Sequence, residues 1–137
     1  MGYILSEERL NGKGYLDLDF YIDKFEQVFD KNNSSIVLYK NNHRHIGRSY
    51  VLNEFAYIMQ AIHLEYLIFW VSDHINQERI GNVTLDYKTF YFIENVTGYT
   101  NHDVIFILDG ADAYHKNIIE FLAYAEPRKI KVVGFVE

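Results

Sequence analysis

The sequence predicts an α/β protein, a three-layer α/β/α sandwich around a mostly parallel sheet, and three observations lead there. Short apolar runs recur along the chain, among them "SIVLYK" at 35–40, "EYLIFWVSD" at 65–73 and "DVIFILDGAD" at 103–112. They are too continuously apolar for strands with one wet face and suit strands covered on both. Between them lie segments whose apolar residues return every three or four positions, the mark of an amphipathic helix. Strand, helix and strand thus alternate, and right-handed crossovers join such strands in parallel with helices on both faces.

Taken in order, residues 1–16 read as a short strand or an arm, with Gly12 and Gly14 marking a turn. Residues 17–31, "DLDFYIDKFEQVFDK", put Leu18, Ile22, Phe25 and Phe29 at helical spacing. Their acidic residues come early and a Lys late, in accord with the helix dipole. "NNSS" breaks the pattern before the strand at 35–40. Residues 49–63 carry Val51, Leu52, Phe55, Ile58, Met59 and Ile62 as a second helical stripe. After the strand at 65–73, residues 74–102 admit a strand or hairpin, or a short helix with a loop. Beyond the strand at 103–112, "AYHKNIIEFLAYAEPRK" turns Ile118, Phe121 and Leu122 inward on a helix that Pro127 ends, and "KIKVVGFVE" closes the chain as a strand. All 137 residues form one domain in this reading, with 1–34 an N-terminal arm and helix.

Composition narrows the function classes. A formal net charge of −6 argues against broad contact with a nucleic-acid backbone, which needs a positive face. The absence of Cys excludes disulfides and thiolate zinc sites and fits a reducing compartment. "MGYILSEERLNGKG" lacks a signal-peptide pattern and no apolar run approaches membrane-spanning length, so the expected setting is the cytoplasm, without membrane contact. Twelve Tyr and ten Phe supply the side chains that interfaces favour, and a protein partner or a homo-oligomer is expected.

In parallel sheets ligands collect beyond the carboxyl ends of the strands, and two polar segments, 41–49 and 109–115, each follow a strand. Asn42, His43, Arg44, His45, Ile46, Gly47, Arg48 and Ser49 keep the spacing GxxxxGK[ST], with Asn for the first Gly and Arg for Lys, between a strand and a helix. Here the chain resembles the P-loop NTPases, of the RecA- and AAA-like ATPase kind. "VIFILD", an apolar run ending in Asp109, is similar to the family's acidic strand, whose Asp helps hold Mg²⁺. The resemblance covers residues 35–136 and implies ATP bound by residues 42–49, with Mg²⁺ bridging Ser49 and Asp109. The chemistry also stands without the family. Backbone N–H groups at a helix start lack internal partners and attract phosphate. Gly47 allows close approach, Asn42 tolerates left-handed geometry, and Arg48 can pair with phosphate oxygens as a planar fork.

Turnover is less well served. Many members of the family place a Glu directly after the strand Asp, whereas Gly110 stands there in this chain. Asp112 is the nearest substitute to position water, with Glu94 and Asp73 more distant, although a helix N-cap explains Asp112 at least as well. Arg79, or Arg128 of a neighbouring subunit, could serve as an arginine finger in an assembly. His43 and His45, joined by His74, His102 or His115, are candidate metal ligands, but neither an HxxxH pair nor Cys supports a transition-metal site. "GRS" is not the GxSxG elbow of a serine hydrolase.

Two readings result. The first is a small degenerate P-loop ATPase-like protein that binds nucleotide weakly. The abundance of Asn, Ile, Lys and Tyr in a compact chain suggests phage or mobile-element DNA metabolism as its setting. The second is a non-catalytic interaction protein that uses the same scaffold to bind a partner ATPase or to self-assemble.

Overall fold

Every strand pairing in the sheet is parallel. The computed structural model describes residues 4–43, 45–76, 78–81 and 83–137. Six strands, β1 (Ile4–Leu5), β2 (Ile36–Lys40), β3 (Leu67–Ser72), β4 (Val83–Asp86), β5 (Val104–Ala111) and β6 (Lys131–Val136), lie in the order β1-β2-β6-β5-β3-β4. Four α-helices connect them: α1 (Leu18–Glu26), α2 (Arg48–Ile62), α3 (Phe92–Tyr99) and α4 (Lys116–Ala125). No helix among the described residues is long and apolar enough to cross a membrane.

Strand alternation divides the core into two layers. Ile36 and Leu38 of β2, Phe69 and Val71 of β3, and Phe106 and Leu108 of β5 pack with Phe92 and Val96 of α3 and Ile118, Phe121 and Leu122 of α4. Their neighbours Val37, Tyr39, Ile68, Trp70, Ile105 and Ile107 point the other way, onto Tyr21 and Phe25 of α1 and Val51, Leu52, Phe55 and Met59 of α2. Period two in the strands and period 3.6 in the helices thus fill both faces. The continuously apolar runs are explained, because neither face meets water.

Local chemistry sets the helix ends. Asp17 caps α1, its Oδ1 accepting from Phe20 N at 3.3 Å. His115 caps α4, its Nδ1 accepting from Asn117 N at 3.1 Å, so Asp112 is not that cap. Asp112 Oδ1 instead accepts from Tyr114 N at 2.9 Å and closes the turn before the helix. Asn117 is buried and donates to Tyr87 O at 2.7 Å, tying α4 to the segment after β4.

Two expectations about the helices need correction. The helical stripe in residues 17–31 centres on Tyr21, Phe25 and Val28, with Leu18, Ile22 and Phe29 only partly buried. The α-helix also tightens into a 3₁₀ turn at Gln27–Phe29, which rotates the last residues off the 3.6 period. On α2, Ala56 is buried and Ile62 is 67% exposed, since Ile62 is the last helical residue before the chain turns at His63. In the ambiguous segment 74–102 the answer is a strand and a helix, and β4 pairs parallel with β3, which rules out a hairpin between them.

Candidate functional site

A cleft of about 740 Å³ opens where the strands finish. The sheet order makes β2, β6, β5 and β3 four consecutive strands, and the cleft collects what ends or follows each. Gly47, Arg48, Ser49 and Tyr50 come after β2, Glu137 after β6, Asp109 and Gly110 from the end of β5, and Asp73 and His74 after β3. Tyr15 and His45 complete the wall. The polar segments at 41–49 and 109–115 do lie at one edge, as parallel pairing requires.

Asp109 is the hub. Its carboxylate is buried, and Ser49 Oγ donates to its Oδ2 at 3.3 Å. Arg79 Nη2 donates to the same oxygen at 2.9 Å and to Ser72 Oγ at 3.2 Å. Ser72 Oγ in turn donates to Asp109 O at 3.3 Å. A β-bulge aims this carboxylate, since register shifts between Asp109 and Ala111 and the extra residue is Gly110 at φ 75°. A Cβ there would meet Arg48 Nη2 only at an ordinary 3.4 Å, so it is the left-handed backbone that Gly serves.

The other charges are also paired. Arg48 Nη1 donates to Asn41 O, and Arg48 Nη2 lies 3.1 Å from Glu137 Oε1. Lys88 Nζ lies 2.9 Å from Asp73 Oδ2, and His74 Nδ1 lies 3.2 Å from Asp73 Oδ1. Lys88 first, then His74, hold the Asp73 carboxyl below the usual carboxylate range despite some burial, and Asp73 raises Lys88. Each of the three carboxylates lining the cleft therefore has its own cation: Arg79 for Asp109, Arg48 for Glu137 and Lys88 for Asp73.

Of the residues singled out in the 42–49 segment, His45, Gly47, Arg48 and Ser49 reach the cleft. Asn42 and His43 are exposed and stand outside its described lining. His43 Nδ1 lies 2.6 Å from Glu8 Oε2, so the N-terminal arm holds it. Ile46 packs against the α1–α2 core and its carbonyl accepts from Leu16 N at 2.9 Å, which turns it away from a ligand. Arg44 lies outside the described residues. Left-handed backbone occurs at His45 (φ 62°) and Gly47 (φ 94°) rather than at Asn42. Gly47 is the N-cap of α2 and has no side chain to accept from the first turn, which leaves that helix start to other acceptors.

The catalytic candidates fare differently. Asp112 is exposed, bonded to its own turn and outside the described cleft lining. Asp73 is in the cleft, but engaged by Lys88. Glu94 is exposed in the first turn of α3. Arg79 is not offered to a neighbour, because its side chain is 3% exposed against this chain's own Asp109. Arg128 lies over the Tyr124 ring at 4.0 Å and donates to Tyr124 O. Among the described residues no group of three or more His, Asp or Glu is arranged to hold a metal ion. Ser49 and Asp109 are oxygen donors of the kind Mg²⁺ prefers, yet the oxygen they share already carries a guanidinium. As arranged, the pair does not fit the ion.

Sequence reasoning missed Tyr15, Tyr50 and Glu137 as cleft residues and named His74 only as a candidate metal ligand. Glu137 gave no signal in sequence alone, because its place in the cleft depends on β6 lying between β2 and β5, an order that the alternation of elements does not fix. Tyr15 gave none either, because an arm folded beside the sheet leaves no periodic trace.

No protein-family model matches the chain, and no curated protein matches it.

Proposed function

We propose that the cleft binds a nucleotide weakly, as a P-loop-type site with negligible turnover. The observation that carries this is the 3.3 Å contact of Ser49 Oγ with Asp109 Oδ2. It joins the first turn of α2 to the end of β5, at the carboxyl edge where such sheets bind ligands. Gly47 at the N-cap supports an anion at that helix start, since phosphate supplies acceptors to unsatisfied N–H groups. The volume of about 740 Å³ suits a ligand larger than one phosphate. Tyr15 and Tyr50, 53% and 59% exposed on the cleft wall, offer ring faces to a base.

Weak affinity and negligible turnover follow from the paired charges. A phosphate must compete with Glu137 for Arg48, and no cleft carboxylate is left without a cation to orient water. ATP is the ligand to test, by equilibrium titration of the natural protein, Ser49→Ala and Gly47→Val. Binding that weakens in both variants, with no phosphate release, is the expected result. Identical curves without binding remove the nucleotide.

A second reading, an interaction protein that binds a partner ATPase or another copy of itself, has its own support. Ile75 is 82% exposed, Phe90 86% and Tyr91 57%, all on segments flanking β4 at one edge of the sheet. Exposed aromatics of this kind favour association. Robust phosphate release would remove this reading.

A further inference from the structure

We infer that Arg79 is a tethered cation that excludes divalent metal from the Ser49–Asp109 pocket, so that the cleft takes its ligand as a metal-free anion. The ligand part rests on the nucleotide reading above; the metal part does not. A buried carboxylate needs a positive partner, and a guanidinium or a metal ion can supply it. In this chain Arg79 Nη2 contacts Asp109 Oδ2 at 2.9 Å and Ser72 Oγ at 3.2 Å, and Ser49 Oγ meets that same Oδ2 at 3.3 Å. Those oxygens are the donors a Mg²⁺ or Mn²⁺ ion would gather at this place. The guanidinium sits among them instead, and two cations cannot share one carboxylate oxygen without strong repulsion.

Arg79 is built in rather than a passing side chain. Its Nη1 donates to His74 O at 2.8 Å, and its guanidinium carbon lies 5.3 Å from the centre of the Trp70 ring. The next residue is fixed on both backbone groups: Ile80 N donates to Asn53 Oδ1 at 2.9 Å, and Ile80 O accepts from Trp70 Nε1 at 2.9 Å. Arginine also cannot yield its place by losing a proton, since its pKa exceeds about 12. A metal could take Oδ2 only if the whole side chain left. Arg79 Nε is buried without a hydrogen-bond partner among the described residues.

The test is a Mn²⁺ titration followed by electron paramagnetic resonance on the full chain, comparing wild type, Asp109→Asn, Arg79→Gln and the double variant. Wild type and Asp109→Asn should give the same curve. Arg79→Gln should bind Mn²⁺ at least about tenfold more tightly, and Asp109→Asn should abolish that gain. Wild-type Mn²⁺ binding that Asp109→Asn removes would overturn the inference, as would Arg79→Gln without a gain. Should Arg79→Gln not fold, the wild type against Asp109→Asn decides alone, by identity or difference. ATP affinity measured in EDTA and in Mg²⁺ completes the experiment. Equal affinities are expected, and about tenfold tighter binding with Mg²⁺ would overturn the exclusion. Binding in neither buffer removes the nucleotide reading and leaves the Mn²⁺ curves to judge Arg79.

Discussion

Arg79 Nη2 and Asp109 Oδ2 meet at 2.9 Å, with 3% and 5% of the two side chains exposed. Burial of this kind makes the pair asymmetric in its energetics. Forming it gains little over an apolar pair, whereas removing one partner strands a charge. Arg79→Met should therefore cost about 3–5 kcal/mol in urea-induced unfolding. Adding Asp109→Asn should recover part of that loss, because the stranded group is then neutral. A cost below about 1 kcal/mol, the range of surface pairs, would mean that water reaches the pair.

How far the sequence foretold this site depends on what each residue signals locally. Ser49 and Asp109 stand at fixed offsets from an apolar strand, and parallel pairing carries both to one edge, so their meeting is legible from pattern alone. Arg79 stands in a segment with no clear period, seven residues past the end of β3. Nothing in its neighbours announces that its guanidinium returns to the sheet. The same limit applied to β4, which is four residues long and only partly buried, too short to impose alternation. Ile46 illustrates the opposite error. Inside a motif window every residue looks like a ligand contact, yet its apolar side chain follows the hydrophobic effect into the core.

Tyr39 gives the fold an alkaline limit. It is buried between α1 and the sheet, and burial pushes its hydroxyl from the ordinary 10.0 up to about 12. Tyr21, in ring contact with it at 5.1 Å, is also raised, again by burial. For an acid held protonated in the fold, stability is complete below pH 10.0 and is lost as pH rises toward about 12. In an ultraviolet titration of tyrosinate, Tyr39 and Tyr21 should ionise only together with loss of circular dichroism. Ionisation of all twelve tyrosines in one step near pH 10, with the fold intact, would contradict this.

Asp73 and Lys88 set a weaker acid limit. Lys88 holds Asp73 below the ordinary 3.8 of a carboxyl, so the pair's contribution is present above that value and fades as pH falls through the lowered one. Carbon-detected NMR should place the Asp73 midpoint below 3.8 in wild type and return it toward 3.8 in Lys88→Met. Because both side chains are well exposed, the urea-unfolding midpoint at neutral pH should hardly move. An unmoved midpoint would show that His74, the second hydrogen-bond partner, suffices by itself.

Trp70 reports on Arg79 directly. It is the sole tryptophan of the chain, 1% exposed, with the Arg79 guanidinium carbon 5.3 Å from its ring centre. A cation at that distance perturbs the indole electrostatically, so the emission depends on whether Arg79 keeps its seat. Arg79→Gln should shift the emission of the free protein without exposing the ring, since Trp70 Nε1 remains bonded to Ile80 O at 2.9 Å. In wild type, ATP should leave the emission nearly constant, because the ligand enters on the Ser49 side while the guanidinium stays on Asp109. A large ATP-dependent change that disappears in Arg79→Gln would show the opposite, a guanidinium that leaves Asp109 to meet the phosphates. The two results separate a fixed internal cation from a mobile ligand-binding one, with wild type and a single variant as the only proteins required.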